Sequence, residues 1–116
     1  MINKIFEYIS KYLVQGEKWD TAYINDLPDT AFAVILPGGE KDETGKTKPR
    51  SSRLLPHHDS SVKKSTENSS VDLPHLRNAL ARMNQIKAPA EYKKKARNHL
   101  IAHAKVLLPN TQFDEE

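Results

Sequence analysis

The chain has no cysteine in its 116 residues. That excludes a disulfide framework, a thiolate metal site and a thiol nucleophile, and it fits a reducing compartment. Aromatic residues are scarce: Phe6, Phe32, Phe113, Tyr8, Tyr12, Tyr23, Tyr92 and a single Trp19. The hydrophobic share of 37% supports one modest core in one domain spanning residues 1–116. No apolar run approaches the ~20 residues needed to cross a bilayer. The N-terminal stretch is broken by Lys4, Glu7 and Lys11, so it does not form a signal-peptide core. A cytoplasmic setting, without a membrane partner, is the expectation.

Catalytic signatures are lacking as well. Ser51, Ser52, Ser60 and Ser61 lie in polar segments outside any Gly-Xaa-Ser-Xaa-Gly context. PGGEKDETGK has glycines and a lysine but not the spacing of a phosphate-cradling loop. Asp20, Asp26, Asp29 and Asp72 are the carboxylates that could do acid/base work. Each stands before a residue where a helix cap or a turn wants Asp, and capping accounts for them without chemistry. The sequence points to a non-catalytic module.

What the chain does have is polarised charge. Residues 71–107 carry eight cations, Arg77, Arg82, Lys87, Lys93, Lys94, Lys95, Arg97 and Lys105, against two acids, Asp72 and Glu91. The first thirty residues run the other way, with Lys4, Lys11 and Lys18 against Glu7, Glu17, Asp20, Asp26 and Asp29. A formal charge of +3 thus hides a basic half that attracts polyanions.

Periodicity sets the expected elements. Ile2, Ile5, Phe6, Ile9, Tyr12 and Leu13 mark a helix over 2–14, stopped near Gly16. A short helix follows in WDTAYINDLPD, capped by Asp20 or Thr21 and ended by Pro28. Phe32-Ala33-Val34-Ile35-Leu36 predicts a strand, and Arg53-Leu54-Leu55-Pro56 a partner for it. Residues 38–52 and 57–70 are polar enough to be expected as mobile loops, and 110–116 as a disordered acidic tail. Asp72 caps a helix running to about Gln85, and Pro89-Ala90-Glu91 opens a last one ended by Pro109. On that last helix Tyr92, Ala96, His99, Leu100, His103, Val106 and Leu107 make the buried side, while Lys94, Arg97, Asn98 and Lys105 stripe the other. The fold class is α+β and mostly helical, with three to four helices and a short two-stranded hairpin.

The histidines are candidate metal ligands. His99 and His103, four apart, can reach one metal, and His57-His58 with Asp59 could complete the set. HxxxH lacks the Glu of HExxH, however, and two adjacent histidines rarely chelate together. The sequence therefore favours part-buried core histidines, with neither metal nor other cofactor. Trp19 between two helices is expected as a core anchor.

Three blocks, WDTAYINDLPDTAFAVI (19–35), RSSRLLPHHDSS (50–61) and VDLPHLRNALARMNQI (71–86), together resemble a small domain of phage and prophage proteins. That domain occurs alone, attached to head-maturation proteins, or as an accessory to DNA-ligase-type enzymes. The middle block departs from the family's HLPYKD, with Leu55-Pro56-His57-His58-Asp59 in its place. The resemblance implies a mobile-element context, a larger phage or DNA-processing partner, and no catalytic residue. Together with the charge, it leads to an expected function: a monomeric, sequence-independent double-stranded DNA-binding module. Its phosphate contacts are expected from the eight cations named above, with Arg50, Arg53, Lys63 and Lys64 wrapping the duplex from the loops. The rival is a phage structural protein, a head or maturation-protease accessory domain, whose basic side docks an acidic protein surface.

Overall fold

The computed structural model describes residues 19–109. The helix expected over 2–14 and the acidic tail lie outside the described residues. Within them the chain forms α1 (Thr21–Asp26), a 3-10 turn, β1 (Phe32–Ile35), β2 (Glu40–Lys41), β3 (Thr47–Lys48), a second 3-10 turn, β4 (Arg53–Pro56), α2 (Leu73–Arg82) and α3 (Ala90–Leu107). The class is α+β, with three helices and two antiparallel strand pairs among the described residues.

Local chemistry sets these boundaries. Asp20 accepts the Tyr23 N–H and starts α1, and Asp72 accepts the His75 N–H and starts α2, each satisfying an amide the helix leaves unpaired. Pro74 sits in the first turn of α2, where its missing N–H costs nothing. Pro89 leads into α3, and Glu91 in its first turn favours the macrodipole. β1 and β4 pair as Phe32↔Pro56, Val34↔Leu54 and Ile35↔Arg53, the partnership their apolar runs predict.

The main core joins that hairpin to the helix pair. Val34 and Leu55 meet Leu76 and Ala79 of α2 and Ala96, Leu100 and Ala104 of α3. The alanines let the helices approach closely, and the leucines fill the space between. Ile101 is also buried, whereas Val106, expected inside, is 59% exposed. The helix is rotated from the expected stripe because its buried face follows 96, 100, 103 and 104. A second cluster of Leu27, Ala31, Phe32 and Val62 packs under α1, with Trp19, Tyr23 and Ile24 partly covering it.

Both expected mobile loops are folded. Residues 38–52 hold the β2–β3 pair, with Glu40↔Lys48 and Lys41↔Thr47 in register. Asp42 closes the tip by accepting the Thr44 and Lys46 N–H groups, and Gly45 takes a positive φ there. Gly39 is required because a Cβ would lie 2.4 Å from the Lys48 carbonyl oxygen. Residues 57–70 fold back on themselves: Asp59 N–H reaches Ser70 O at 2.9 Å, and Asp72 N–H reaches His57 O at 2.8 Å. Glu67 accepts from the Lys63 and Lys64 amides, and Val62 is buried. Polar composition is misleading here because these Asp, Glu, Asn and Ser side chains bond the nearby backbone instead of water.

Candidate functional site

Two features survive the folding of the expected site residues: a cationic helix pair and a histidine cluster. The cations divide by use. Arg53 is buried, not a loop cation. Its guanidinium donates to the carbonyls of Ile24, Asn25 and Leu27, faces Asp29 at 3.4 Å and lies over the Phe32 ring at 4.2 Å. Arg50 is also spent on the fold, donating to Asp42 at 2.8 Å and to the carbonyls of Asn25 and Thr47. These two expected duplex contacts are structural: an arginine that follows a turn meets orphan carbonyls at a helix end, and its planar fork satisfies several at once. Burial alone would raise the Asp29 carboxyl, but hydrogen bonds from Thr47 and Arg53 outweigh it and hold it below the usual carboxylate range.

The helix cations are different. Arg77, Arg82, Lys87, Lys94 and Lys95 are exposed, Lys93 and Arg97 half-exposed. Among the described residues the Arg82 side chain donates to neutral Asn78, and Lys95 lies over the Tyr92 ring at 5.4 Å. None of these seven makes an ion pair with a carboxylate among the described residues. Lys105 projects from the last turn of α3, also exposed. Lys63 and Lys64 are exposed on a turn held by Glu67. Trp19, half-buried, stacks on His75 with ring centres 3.5 Å apart, near the edge of the second core cluster.

The histidines come together as one group, the adjacent His57 and His58 included. His57 and His58, just after β4, face His99 and His103 on α3, and one ring nitrogen from each lies within 4.8 Å of the others. Three of the four are buried and His99 half-buried. Just before them Leu55, in β4, takes a φ of +62°, costly for a leucine. Its carbonyl then accepts from His57 Nδ1 at 3.0 Å. His58 Nδ1 meets Ser70 Oγ at 2.8 Å, and Ser70 in turn donates to Glu67 at 2.6 Å. His103 Nδ1 meets Asn68 Oδ1 at 2.7 Å, and its Nε2 lies 3.2 Å from that of His99. The Ser65 carbonyl oxygen enters the same space, 3.1 Å from Nε2 of both His58 and His103. Burial drives His57 down to about 3 and His99 down to about 4, helped by the neighbouring imidazoles, and lowers His58 and His103 too. The cluster is therefore neutral at neutral pH.

His58 and His103 are hard to place from sequence because their partners, Ser65, Asn68 and Ser70, lie in the stretch expected to be mobile. The only available signal is the tally itself: four of the chain's five histidines fall in two pairs. Comparison with protein-family models, curated protein sequences and solved structures finds no match. No described helix is long and apolar enough to cross a membrane.

Proposed function

We propose that the chain is a non-catalytic module that binds double-stranded DNA without reading its sequence. The observation that carries this reading is the division among its cations. Arg50 and Arg53 are neutralised inside the fold, while Arg77, Arg82, Lys87, Lys93, Lys94, Lys95 and Arg97 are exposed or half-exposed and make no ion pair with a carboxylate among the described residues. A soluble helix usually intersperses acids among its lysines. A face left uncompensated accumulates repulsion, which a polyanion relieves by replacing condensed counterions. Phosphate contacts of this kind fix position and carry no sequence information. In this reading Arg77, Arg82, Lys87, Lys93, Lys94, Lys95, Arg97 and Lys105 supply the contacts, with Lys63 and Lys64 at the margin. The module would serve a larger DNA-processing or phage protein, which the family resemblance suggests. A gel-shift titration with random duplex at two salt concentrations tests it. Binding that weakens steeply with salt supports the reading, and no binding at low salt transfers the surface to an acidic protein partner.

A further inference from the structure

We propose that His57, His58, His99 and His103 bind one zinc-class divalent ion in a closed, structural site. The argument begins with protons. A carbonyl oxygen only accepts, so His57 Nδ1 beside Leu55 O carries its hydrogen, and its buried Nε2 is a bare lone pair without a partner among the described residues. Ser70 Oγ donates to Glu67 and lies 2.8 Å from His58 Nδ1, while His58 Nε2 lies 3.1 Å from the Ser65 carbonyl oxygen, so a neutral His58 ring faces an acceptor at each nitrogen with one hydrogen to give. His103 is placed alike, with Asn68 Oδ1 at Nδ1 and the same Ser65 carbonyl oxygen at Nε2. With the hydrogens at Nδ1, three Nε2 lone pairs converge on a space that the Ser65 carbonyl oxygen also enters. Acceptors facing acceptors repel unless a cation lies among them.

The arrangement suits a metal in three further respects. Neutral imidazole nitrogen is a good donor to zinc, and four such donors without an open position make the closed set of a structural site. Zinc–nitrogen bonds of about 2.0–2.1 Å place tetrahedral nitrogens roughly 3.3 Å apart. The His99–His103 pair is already at 3.2 Å, and the other nitrogens need only a small contraction from within 4.8 Å. At Nδ1, His57, His58 and His103 also have the outer partners that metal-bound histidines use, and the Glu67–Ser70–His58 chain brings a carboxylate to offset the ion's charge. A bound ion would tie the end of β4 to a helix some forty residues later, fixing both the 57–70 fold-back and α3. This does not depend on DNA binding; either can fail without the other.

The test uses the untagged chain, since a purification tag would add histidines, with Co2+ and Zn2+ as the probes. One Co2+ per chain should bind with the intense visible bands of tetrahedral coordination, and Zn2+ should displace it. Zinc should raise the melting temperature and EDTA reverse it. His99→Gln, at the half-exposed edge of the cluster, should weaken zinc binding by well over 100-fold. Ser70→Ala should weaken it about 10–100-fold, the usual effect of removing an outer partner. His75→Gln, whose ring stacks on Trp19 outside the cluster, should bind normally. A folded chain that gives no tetrahedral bands, or His99→Gln and His75→Gln binding alike, overturns the proposal. Should His99→Gln not fold, long-range nitrogen NMR of the native chain decides: all four Nε2 resonances should shift on adding zinc, and unmoved resonances overturn it.

Discussion

Arg53 and Asp29 face one another across the joint between the β1–β4 pair and α1, Nη1 to Oδ1 at 3.4 Å, the arginine side chain fully withdrawn from solvent and the aspartate nearly so. The same guanidinium donates to three carbonyls at the end of α1, so one side chain of β4 caps that helix. Removing it takes a charged donor from the Asp29 carboxylate and from the Ile24, Asn25 and Leu27 carbonyls in a buried space. Arg53→Met should therefore destabilise the fold by about 3–5 kcal/mol, the usual cost of breaking a buried pair on one side. Urea denaturation measures it. Arg53→Lys should recover little, because one ammonium cannot span the acceptors that the fork reaches. A variant as stable as the parent, with DNA affinity lost instead, would restore Arg53 to the binding surface.

Asp29 should make stability fall in acid. Its native carboxyl lies below the ordinary value of 3.8, since Thr47, Arg53 and Lys41 favour the charged form over the cost of burial. A group with a depressed native value contributes stability above its unfolded value and loses it as pH drops through the native one. The window is thus below about pH 4. Urea midpoints measured from pH 6 to pH 2 should drop in this range for the parent. Asp29→Asn should start lower and fall less. Parallel curves would mean that Asp29 is not the group responsible.

Sequence reasoning reaches the skeleton through local signals. Asp20, Asp72 and Pro89 mark helix starts by chemistry that acts within one turn, and the β1 and β4 runs are apolar enough to identify their own pairing. It fails where order comes from distant partners. Nothing near Arg53 in sequence reveals that α1 presents three carbonyls to it, so a buried clamp looks like a free cation. The 57–70 stretch has one large aliphatic residue, Val62, whose burial is worth about 1.5–3 kcal/mol. Its other anchors are polar side chains that resemble those of a disordered tract in composition. The same polarity hides the histidine cluster, since the order that holds His57 and His58 against α3 comes from Ser65, Asn68 and Ser70 in that stretch.

DNA binding should show a steep electrostatic signature. With about four to six phosphate contacts at roughly −0.9 each, log K against log salt should slope between about −3.6 and −5.4. Affinity would then drop about 10²–10³-fold between 50 and 200 mM salt. Titrations of a random duplex by fluorescence anisotropy measure the slope directly. Micromolar binding that ignores salt would sink the phosphate-contact account, because interactions of another kind would have to supply the free energy.

The last prediction separates the helices from the fold-back. Arg77 and Lys94 are exposed and Arg97 half-exposed, and none of them belongs to the main core cluster. Reversing all three to Glu should leave the thermal midpoint nearly unchanged and almost abolish binding. It should also flatten the salt slope by roughly 0.9 for each phosphate no longer neutralised, about 2.7 in total. Deleting residues 62–69 is not a usable comparison, since it removes buried Val62 and the Ser65 and Asn68 groups around the histidines. Lys63→Glu with Lys64→Glu is the better control: both side chains are exposed, and Glu67 holds the turn through their amides, which the substitutions keep. That pair should weaken binding only modestly and leave most of the slope. The helical variant should also lose affinity almost equally on duplexes of different sequence, because phosphates are alike everywhere. A larger loss from the Lys63 and Lys64 pair would move the interface from the helices to the fold-back. A loss that depends on sequence would mean that some of these cations read base edges.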